Sequence, residues 1–176
     1  MMQVHEIAEM IPAGFPDNAR VWVYQCSRAF IEKEAREVNE QLHHFYAGWQ
    51  THGSPVKGWA GLLFRQFVVV IADETDEQVS GCSTDSSVRV IKSLERQYNV
   101  NFFDRMMITF LVKGKAEMLP FAQVQYAIEK GYITPDTMLF NNVVTNKKEL
   151  YTKWMVPLKD SWLAGRVSFG NVPAQR

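Results

Sequence analysis

The spacing of apolar residues along the chain predicts two long amphipathic helices. In the segment 31–49, apolar side chains recur every three or four positions, and acidic and basic side chains fill most positions between them. The segment 88–98 repeats that spacing, and Ser83, Thr84 or Asp85 just before it could cap the helix at its N-terminus. Both patterns are typical of a helix that buries one face against a core.

Runs of β-branched and aromatic residues predict the strands. The segment 21–25 has this composition, and Phe67–Ala72 is apolar without interruption, which is typical of a central strand buried on both faces. The remaining elements are predicted as strands at 106–112, 116–119 and 138–144, with helices at 120–130 and 147–154. The order βαβαββαβα therefore predicts an α/β (or α+β) fold with a single mixed sheet of about five strands, on which the helices pack.

The start of the chain differs from the rest. Pro12, Gly14 and Pro16 interrupt its short apolar stretches. We expect residues 1–19 to form an N-terminal leader packed on the domain and residues 20–176 to form a single α/β domain. A chain of 176 residues has the size of one globular unit with one sizeable core.

The charge balance excludes some partners. The 19 Lys and Arg residues equal the 19 Asp and Glu residues in number, so a broad basic face for nucleic acid or a membrane surface is not expected.

Two cysteines are too few for a disulfide scaffold, and no apolar run is long enough for a membrane span or a signal peptide. We therefore expect a cytoplasmic protein. The four histidines have no metal-binding spacing, and no metal or cofactor is expected.

Polar residues follow the first two predicted strands. If these strands are parallel, Arg28 leaves the sheet at the same edge as Asp73, and the turn before the second helix returns to that edge. Arg28 and the free amides at Ser86 and Ser87 could then bind an anion. Alternatively, Arg28 only forms an ion pair with Asp73 or Asp85. The predicted ligand-binding residues are Arg28, Cys82, Asp85, Ser86, Ser87 and Arg89.

Cys82 is a candidate nucleophile because it lies next to a predicted helix N-terminus, where the amide groups stabilise a thiolate. The phosphatase pattern C-x-x-x-x-x-R is not met, since Val88 occupies the required arginine position and Arg89 comes one residue late. Alternatively, Cys82 is only a small buried residue in a tight turn that caps the helix.

The apolar strand that ends in Asp73 and Glu74 is similar to the strand that holds magnesium in P-loop ATPases. Such enzymes also need the sequence G-x-x-x-x-G-K-[ST], whose amides and lysine bind the phosphates. The chain has no such segment: its one Gly-Lys pair, Gly114-Lys115, is followed by Ala116. ATP hydrolysis is therefore not expected, and the two acids are interpreted as the polar end of a buried strand.

Several segments together resemble a family of small bacterial proteins that carry the label "ABC transporter ATPase". The resemblance extends from Arg20 to Trp162 and is carried by Trp22-x-Tyr24-Gln25-x-x-Arg28, Gly81-Cys82-Ser83-x-Asp85-Ser86-Ser87-Val88-Arg89-x-Ile91-Lys92-Ser93-Leu94-Glu95, Phe103-Asp104-Arg105, Asn141-Asn142 and Ser161-Trp162. The family has no established activity that the resemblance could imply for this chain. Its label conflicts with the residues, since the phosphate loop of a transporter ATPase is missing.

The sequence thus predicts a protein that binds a small anionic ligand or a protein segment at the carboxyl edge of its sheet. The first alternative is a thiol-dependent enzyme with Cys82 as its nucleophile. The second alternative is a structural or scaffolding subunit of a homo-oligomer.

Overall fold

The computed structural model describes residues 4–170, which divide into two compact units. The larger unit takes the described residues up to Asp104 together with Asn142–Thr152, and the smaller unit takes Arg105–Asn141 and the described residues from Lys153 onward. Over residues 4–170 the chain therefore crosses between the units three times. Among residues 4–170, no helix is long and apolar enough to cross a membrane.

The larger unit is built around a three-stranded sheet. Its elements are α1 (Val4–Met10), β1 (Arg20–Gln25), α2 (Glu32–Ala47), β2 (Gln50–Thr51), β3 (Ser54–Pro55), β4 (Gly58–Leu63), β5 (Phe67–Ala72), α3 (Gly81–Tyr98) and α5 (Lys147–Lys153). The strands β2 and β3 form a two-residue hairpin, and the sheet has the order β1-β5-β4. The strand β5 is buried along its whole length, which confirms the predicted central strand.

Both neighbours of β5 run antiparallel to it. In β1, Arg20 pairs with Ala72 and Gln25 pairs with Phe67, so the carboxyl ends of these two strands lie at opposite edges of the sheet. The predicted parallel crossover and its shared carboxyl edge are therefore wrong. The prediction is wrong because it omits β4. The glycines of this segment suggest a loop, but the segment is a strand that forms a hairpin with β5.

The helices α2 and α3 lie on one face of this sheet. Alternate residues of β5, including Val68 and Val70, form a core with Val38 and Leu42 of α2 and with Leu94 of α3. The predicted amphipathic pattern is confirmed for both helices, since their periodic apolar positions are buried or half-buried. On the edge strand β4, the outward Leu62 amide donates to Asn39 Oδ1 of α2 over 3.0 Å.

Trp49 joins the end of α2 to the start of α3. Its Nε1 donates to the Ser83 carbonyl oxygen over 3.0 Å, and its ring packs against Gly58 of β4. The ring centroid of Trp49 lies 4.9 Å from that of Phe45 and 6.4 Å from that of Trp22. Gly58 is required by this close approach, because a Cβ at that position would lie 2.7 Å from the Trp49 ring and 3.1 Å from the Ile71 carbonyl oxygen.

Replacing Gly58→Ala is expected to destabilise the larger unit by about 1–3 kcal/mol, because both the buried ring and the backbone would have to move. The matched control is Gly81→Ala, where an added Cβ meets no atom within 4 Å and the free energy of unfolding should stay equal or rise by up to about 1 kcal/mol. Urea unfolding of both variants measures the difference. Equal stabilities for the two variants would contradict the close packing of Trp49 on Gly58.

The outer edge of β1 is covered by the segment Asn142–Thr152, which returns from the smaller unit. The Val21 amide donates to the Thr145 carbonyl oxygen over 2.9 Å, and the Lys147 amide donates to the Ala19 carbonyl oxygen over 2.9 Å. The Asn142 side-chain amide donates to Gln25 Oε1 over 3.1 Å. This segment also brings Leu150 into the unit as a fully buried side chain.

The smaller unit contains a four-stranded antiparallel sheet. Its elements are β6 (Met107–Val112), β7 (Lys115–Pro120), α4 (Phe121–Glu129), β8 (Met138–Phe140), β9 (Met155–Pro157) and two short 3-10 helices, Leu158–Asp160 and Trp162–Arg166. The strand order is β7-β6-β8-β9, and α4 contributes Val124 and Ile128 to the core of this unit. The predicted hairpin is confirmed: Lys113 and Gly114 at its turn have positive φ values of 50° and 77°.

The predicted mixed α/β class is therefore confirmed, and the predicted single sheet of about five strands is wrong. In the described range, the strands form sheets of three, two and four strands. Local patterns identify strands but not their partners, and β6 pairs with β7 and β8 rather than with the strands of the larger unit. Ile7 and Ile11 of the predicted leader are buried; the boundary at residue 19 stays a prediction.

Candidate functional site

The helix α3 begins earlier than its sequence suggests. Ser80 is the N-cap, since its hydroxyl accepts from the Ser83 amide over 3.2 Å, so the predicted capping by Ser83, Thr84 or Asp85 is wrong. The Ser80 amide in turn donates to Thr51 Oγ1 over 3.1 Å, which attaches this cap to the β2–β3 hairpin. Cys82 therefore lies inside the first turn of α3 rather than ahead of the helix.

The inner face of this turn is buried and hydrogen-bonded. The Ser83 hydroxyl donates to the Gln50 carbonyl oxygen over 2.6 Å, and the Ser87 hydroxyl donates to the Thr84 carbonyl oxygen over 2.7 Å. Burial raises the pKa of Tyr24, and a hydrogen bond with Ser87 partly opposes that rise. Ser87 is only 2% exposed, so the structure does not offer this predicted ligand-binding residue to a ligand from solvent.

The outer face of α3 carries four of the predicted residues. Cys82, Asp85 and Arg89 are exposed, and Ser86 is half-buried with its hydroxyl donating to the Cys82 carbonyl oxygen over 3.0 Å. Spacings of three, four and seven residues place all four on the same side of the helix. Arg89 forms no ion pair with any residue in the range 4–170.

Arg28 lies at the other end of α3. Its guanidinium binds both carboxylate oxygens of Glu34, over 2.7 and 3.0 Å, and also donates to the Tyr98 carbonyl oxygen over 3.3 Å. Tyr98 follows Ser86 by twelve positions, which corresponds to about 18 Å along a helix axis. The structure therefore does not bring Arg28 and Ser86 together at one small ligand.

The predicted ion pair of Arg28 with Asp73 or Asp85 is also wrong. Glu34 is its partner, and Asp73 instead forms an ion pair with Lys57 over 3.1 Å. Hydrogen bonding to Arg28 is the main cause that lowers the pKa of Glu34, and the Ile31 amide at the start of α2 adds to this effect. Arg28 thus stabilises the beginning of α2.

The ion pair of Arg28 should make stability depend on pH in the acid range. Because the folded-state pKa of Glu34 is lowered, its contribution is present above the unfolded value of about 4.3 and is lost as the pH falls through the folded value. Glu34→Gln should therefore be less stable than the parent chain at pH 7, and the difference should shrink toward pH 3. Urea unfolding at several pH values measures it. Glu40→Gln, an exposed change on the same helix, should show no such convergence.

The acids at the end of β5 are used to fix a loop. Glu74 pairs with Arg20 over 3.5 Å and accepts from the Val79 amide over 2.9 Å, while Asp73 also accepts hydrogen bonds from Thr75. Hydrogen bonds from Thr75 are the main cause that lowers the pKa of Asp73. These contacts agree with the interpretation of Asp73 and Glu74 as the polar end of a buried strand.

Both cysteines are free. Cys26 is buried and Cys82 is exposed, and desolvation raises the pKa of the Cys26 thiol. The Ser27 amide next to Cys26 donates to the Asn101 carbonyl oxygen, just beyond the end of α3, whereas Cys82 lies in the first turn of that helix. The two cysteines therefore lie near opposite ends of α3.

The two adjacent asparagines, Asn141 and Asn142, also make structural contacts. The Asn142 side-chain amide donates to Gln25, and the Asn141 side-chain amide donates to the Lys153 carbonyl oxygen.

Sequence reasoning missed two residues of the outer face. Lys92 and Arg96 are exposed and follow Arg89 by three and seven positions, so they extend the same side of α3. The spacing of three and four residues between Arg89, Lys92 and Arg96 is the signal by which the sequence could have identified them. Neither residue forms an ion pair within the described part of the chain.

No group of three or more His, Cys, Asp and Glu side chains among residues 4–170 is arranged to hold a metal ion. No family model, curated protein or solved structure matches the chain. The candidate site is the outer face of α3, where four of the six predicted ligand-binding residues lie on one side of the helix.

Proposed function

We propose that this chain is a binding protein, without catalytic activity of its own, that takes an anionic group at the outer face of α3. The observation that carries the proposal is Arg89, an exposed guanidinium without an ion pair in the described part of the chain. Guanidinium groups bind carboxylates and phosphates through two parallel hydrogen bonds. Cys82, Asp85 and Ser86 lie on the same side of the helix and complete the surface around it.

The position of Asp85 sharpens this proposal. Asp85 precedes Arg89 by four residues, a spacing that permits an ion pair on a helix, but no such pair is formed. An incoming anion would be repelled by Asp85 and attracted by Arg89. Removing either charge should therefore change the affinity in opposite directions.

Titration with inorganic phosphate, followed by NMR, tests the proposal. We expect chemical-shift changes at the outer face of α3, their loss in Arg89→Gln, and tighter binding in Asp85→Asn. The matched control is Arg166→Gln, which removes an exposed positive charge without an ion pair from the smaller unit. Unchanged titration curves in Arg89→Gln would overturn the proposal.

Thiol chemistry at Cys82 is a second candidate, favoured by the exposure of this side chain in the first turn of α3. Among the described residues, none forms a hydrogen bond with the Cys82 thiol, so no base is in position to accept its proton. The rate of alkylation by iodoacetamide against pH tests this candidate. An inflection near the value of an ordinary free thiol, about 8.5, would remove it, and one below about 7 would support it.

ATP hydrolysis is not part of the proposal, because the chain lacks a phosphate-binding loop and both acids at the end of β5 form ion pairs. Membership of the bacterial family with the ATPase label stays a prediction from the segments that resemble it. A homo-oligomeric scaffold also stays a prediction, and light scattering on the purified chain would test it.

A further inference from the structure

We propose that the anionic partner is an acidic polypeptide segment that lies along the outer face of α3 and contacts Arg89, Lys92 and Arg96. This inference rests on the proposed function and names its partner. The three side chains form what we call the basic stripe, and all three are exposed. From Arg89 to Arg96 the stripe extends over seven residues, which is about 10 Å along the helix axis.

The basic stripe lacks the internal partners that the neighbouring helix has. On α2, Lys33 pairs with Glu37 and Arg36 pairs with Glu32. On α3, Glu95 is the acid nearest the stripe in sequence, and its carboxylate accepts from the Phe102 amide over 2.7 Å. None of the three basic side chains of the stripe therefore forms an ion pair with a carboxylate of the described residues.

The spacing within the stripe is itself unfavourable for an isolated helix. Arg89 and Lys92 are three residues apart, and Lys92 and Arg96 are four residues apart, so like charges are neighbours on the helix surface. Such pairs destabilise a helix. A row of negative charges on a partner would reverse this repulsion.

The shape of the stripe favours a polypeptide over a small anion. The three cations follow one another along the convex surface of a helix rather than surrounding a single point, so one phosphate reaches only part of the row. Carboxylates at positions i, i+3 and i+7 of a partner helix repeat the same rise of about 10 Å. A partner helix with this pattern can face all three cations at once.

Nucleic acid fits the stripe less well. Nucleic-acid binding depends on many phosphate contacts and, for single strands, on aromatic side chains that stack on the bases. The stripe offers three cations, and its outer-face neighbours Cys82, Asp85 and Ser86 are not aromatic. The whole chain has a formal net charge of zero, so it adds no wider attraction.

Fluorescence anisotropy with a labelled synthetic peptide tests the inference. The probe is a capped helical peptide of Ala, Gln and three Glu residues at positions i, i+3 and i+7, and its matched control has Gln at those three positions. At 25 mM salt we expect the Glu peptide to bind at least tenfold tighter than the Gln peptide, and we expect 500 mM salt to remove the difference. Equal binding of the two peptides, or tighter binding of poly(U) than of the Glu peptide, would overturn the inference.

Two variants separate this inference from the proposed function. Lys92→Gln/Arg96→Gln leaves Arg89 in place and should weaken Glu-peptide binding at least fivefold while the phosphate titration at Arg89 is kept. If this variant binds the Glu peptide as tightly as the parent chain, the inference fails and the proposed function stands. Lys113→Gln/Lys115→Gln removes two exposed charges from the smaller unit and should leave peptide binding unchanged. All of these positions are exposed, and circular dichroism confirms that each variant is folded.

Discussion

Trp49→Ala is expected to lower the free energy of unfolding by about 3–5 kcal/mol, the range found when a large aromatic side chain is removed from a core. Trp49 is 3% exposed and lies where α2, α3 and β4 meet. Its loss would leave a cavity beside Gly58 and remove the hydrogen bond to the Ser83 carbonyl oxygen. Urea unfolding monitored by circular dichroism measures the change.

Two further variants make this prediction specific. Trp49→Phe keeps most of the ring packing and removes the hydrogen bond, so it should cost less than Trp49→Ala. Trp162→Ala removes an indole that is 44% exposed and therefore buries less apolar area than Trp49, so this change should cost less than Trp49→Ala. If Trp49→Ala lowered the free energy of unfolding no more than Trp162→Ala does, the packing of Trp49 between α2, α3 and β4 would be contradicted.

The larger unit is expected not to fold when the chain ends at Asp104. Such a truncation removes the segment 142–152, which covers the outer edge of β1 and supplies Val144 and Leu150 to the core. Burial of one such side chain contributes about 1.5–3 kcal/mol, and the total stability of a domain is commonly about 5–15 kcal/mol. Loss of two buried side chains and the backbone hydrogen bonds therefore removes a large share of the stability.

A second chain, in which the segment 142–152 is restored, tests whether its removal is the reason that the truncated chain does not fold. In that chain, Asp104 is joined to Asn142 by a flexible Gly-Ser linker of about 16 residues, which spans about 22 Å on average, and the chain ends at Thr152. We expect it to unfold cooperatively in urea, whereas the truncated chain should show no cooperative transition. A stable truncated chain would mean that the returning segment is dispensable.

The parts of the fold that could be predicted are those encoded by local spacing. The helix α2 follows from apolar residues every three or four positions, and β5 follows from an uninterrupted apolar run. The strand β4 could not be found in this way, because Gly58 and Gly61 suggest a loop until the tryptophan rings that cover them are known. The antiparallel pairing of β1 with β5 depends on contacts far apart in the sequence, which a local pattern does not encode.

The candidate site shows the same division. The residues of the outer face lie on one side of α3 because the helix already begins at Gly81, whereas the sequence predicts a turn at Cys82 before the helix. Arg28 was placed with them only through the assumed parallel sheet, and its actual partner, Glu34, is six residues away along the chain. The inner position of Ser87 could have been predicted, since it lies four residues before Ile91 on the buried face of α3.

Hydrogen bonds at the two edge strands of the three-stranded sheet, β1 and β4, limit strand pairing between copies of this chain. An uncovered edge strand offers unpaired amides and carbonyls to a strand from another molecule, and this is a common route to aggregation. Here the edge of β1 is occupied at Val21 by Thr145, and the edge of β4 is occupied at Leu62 by the Asn39 side chain. At these points, one hydrogen bond to the side chain of a helical asparagine and one short returning segment thus prevent a strand of another molecule from pairing with the sheet.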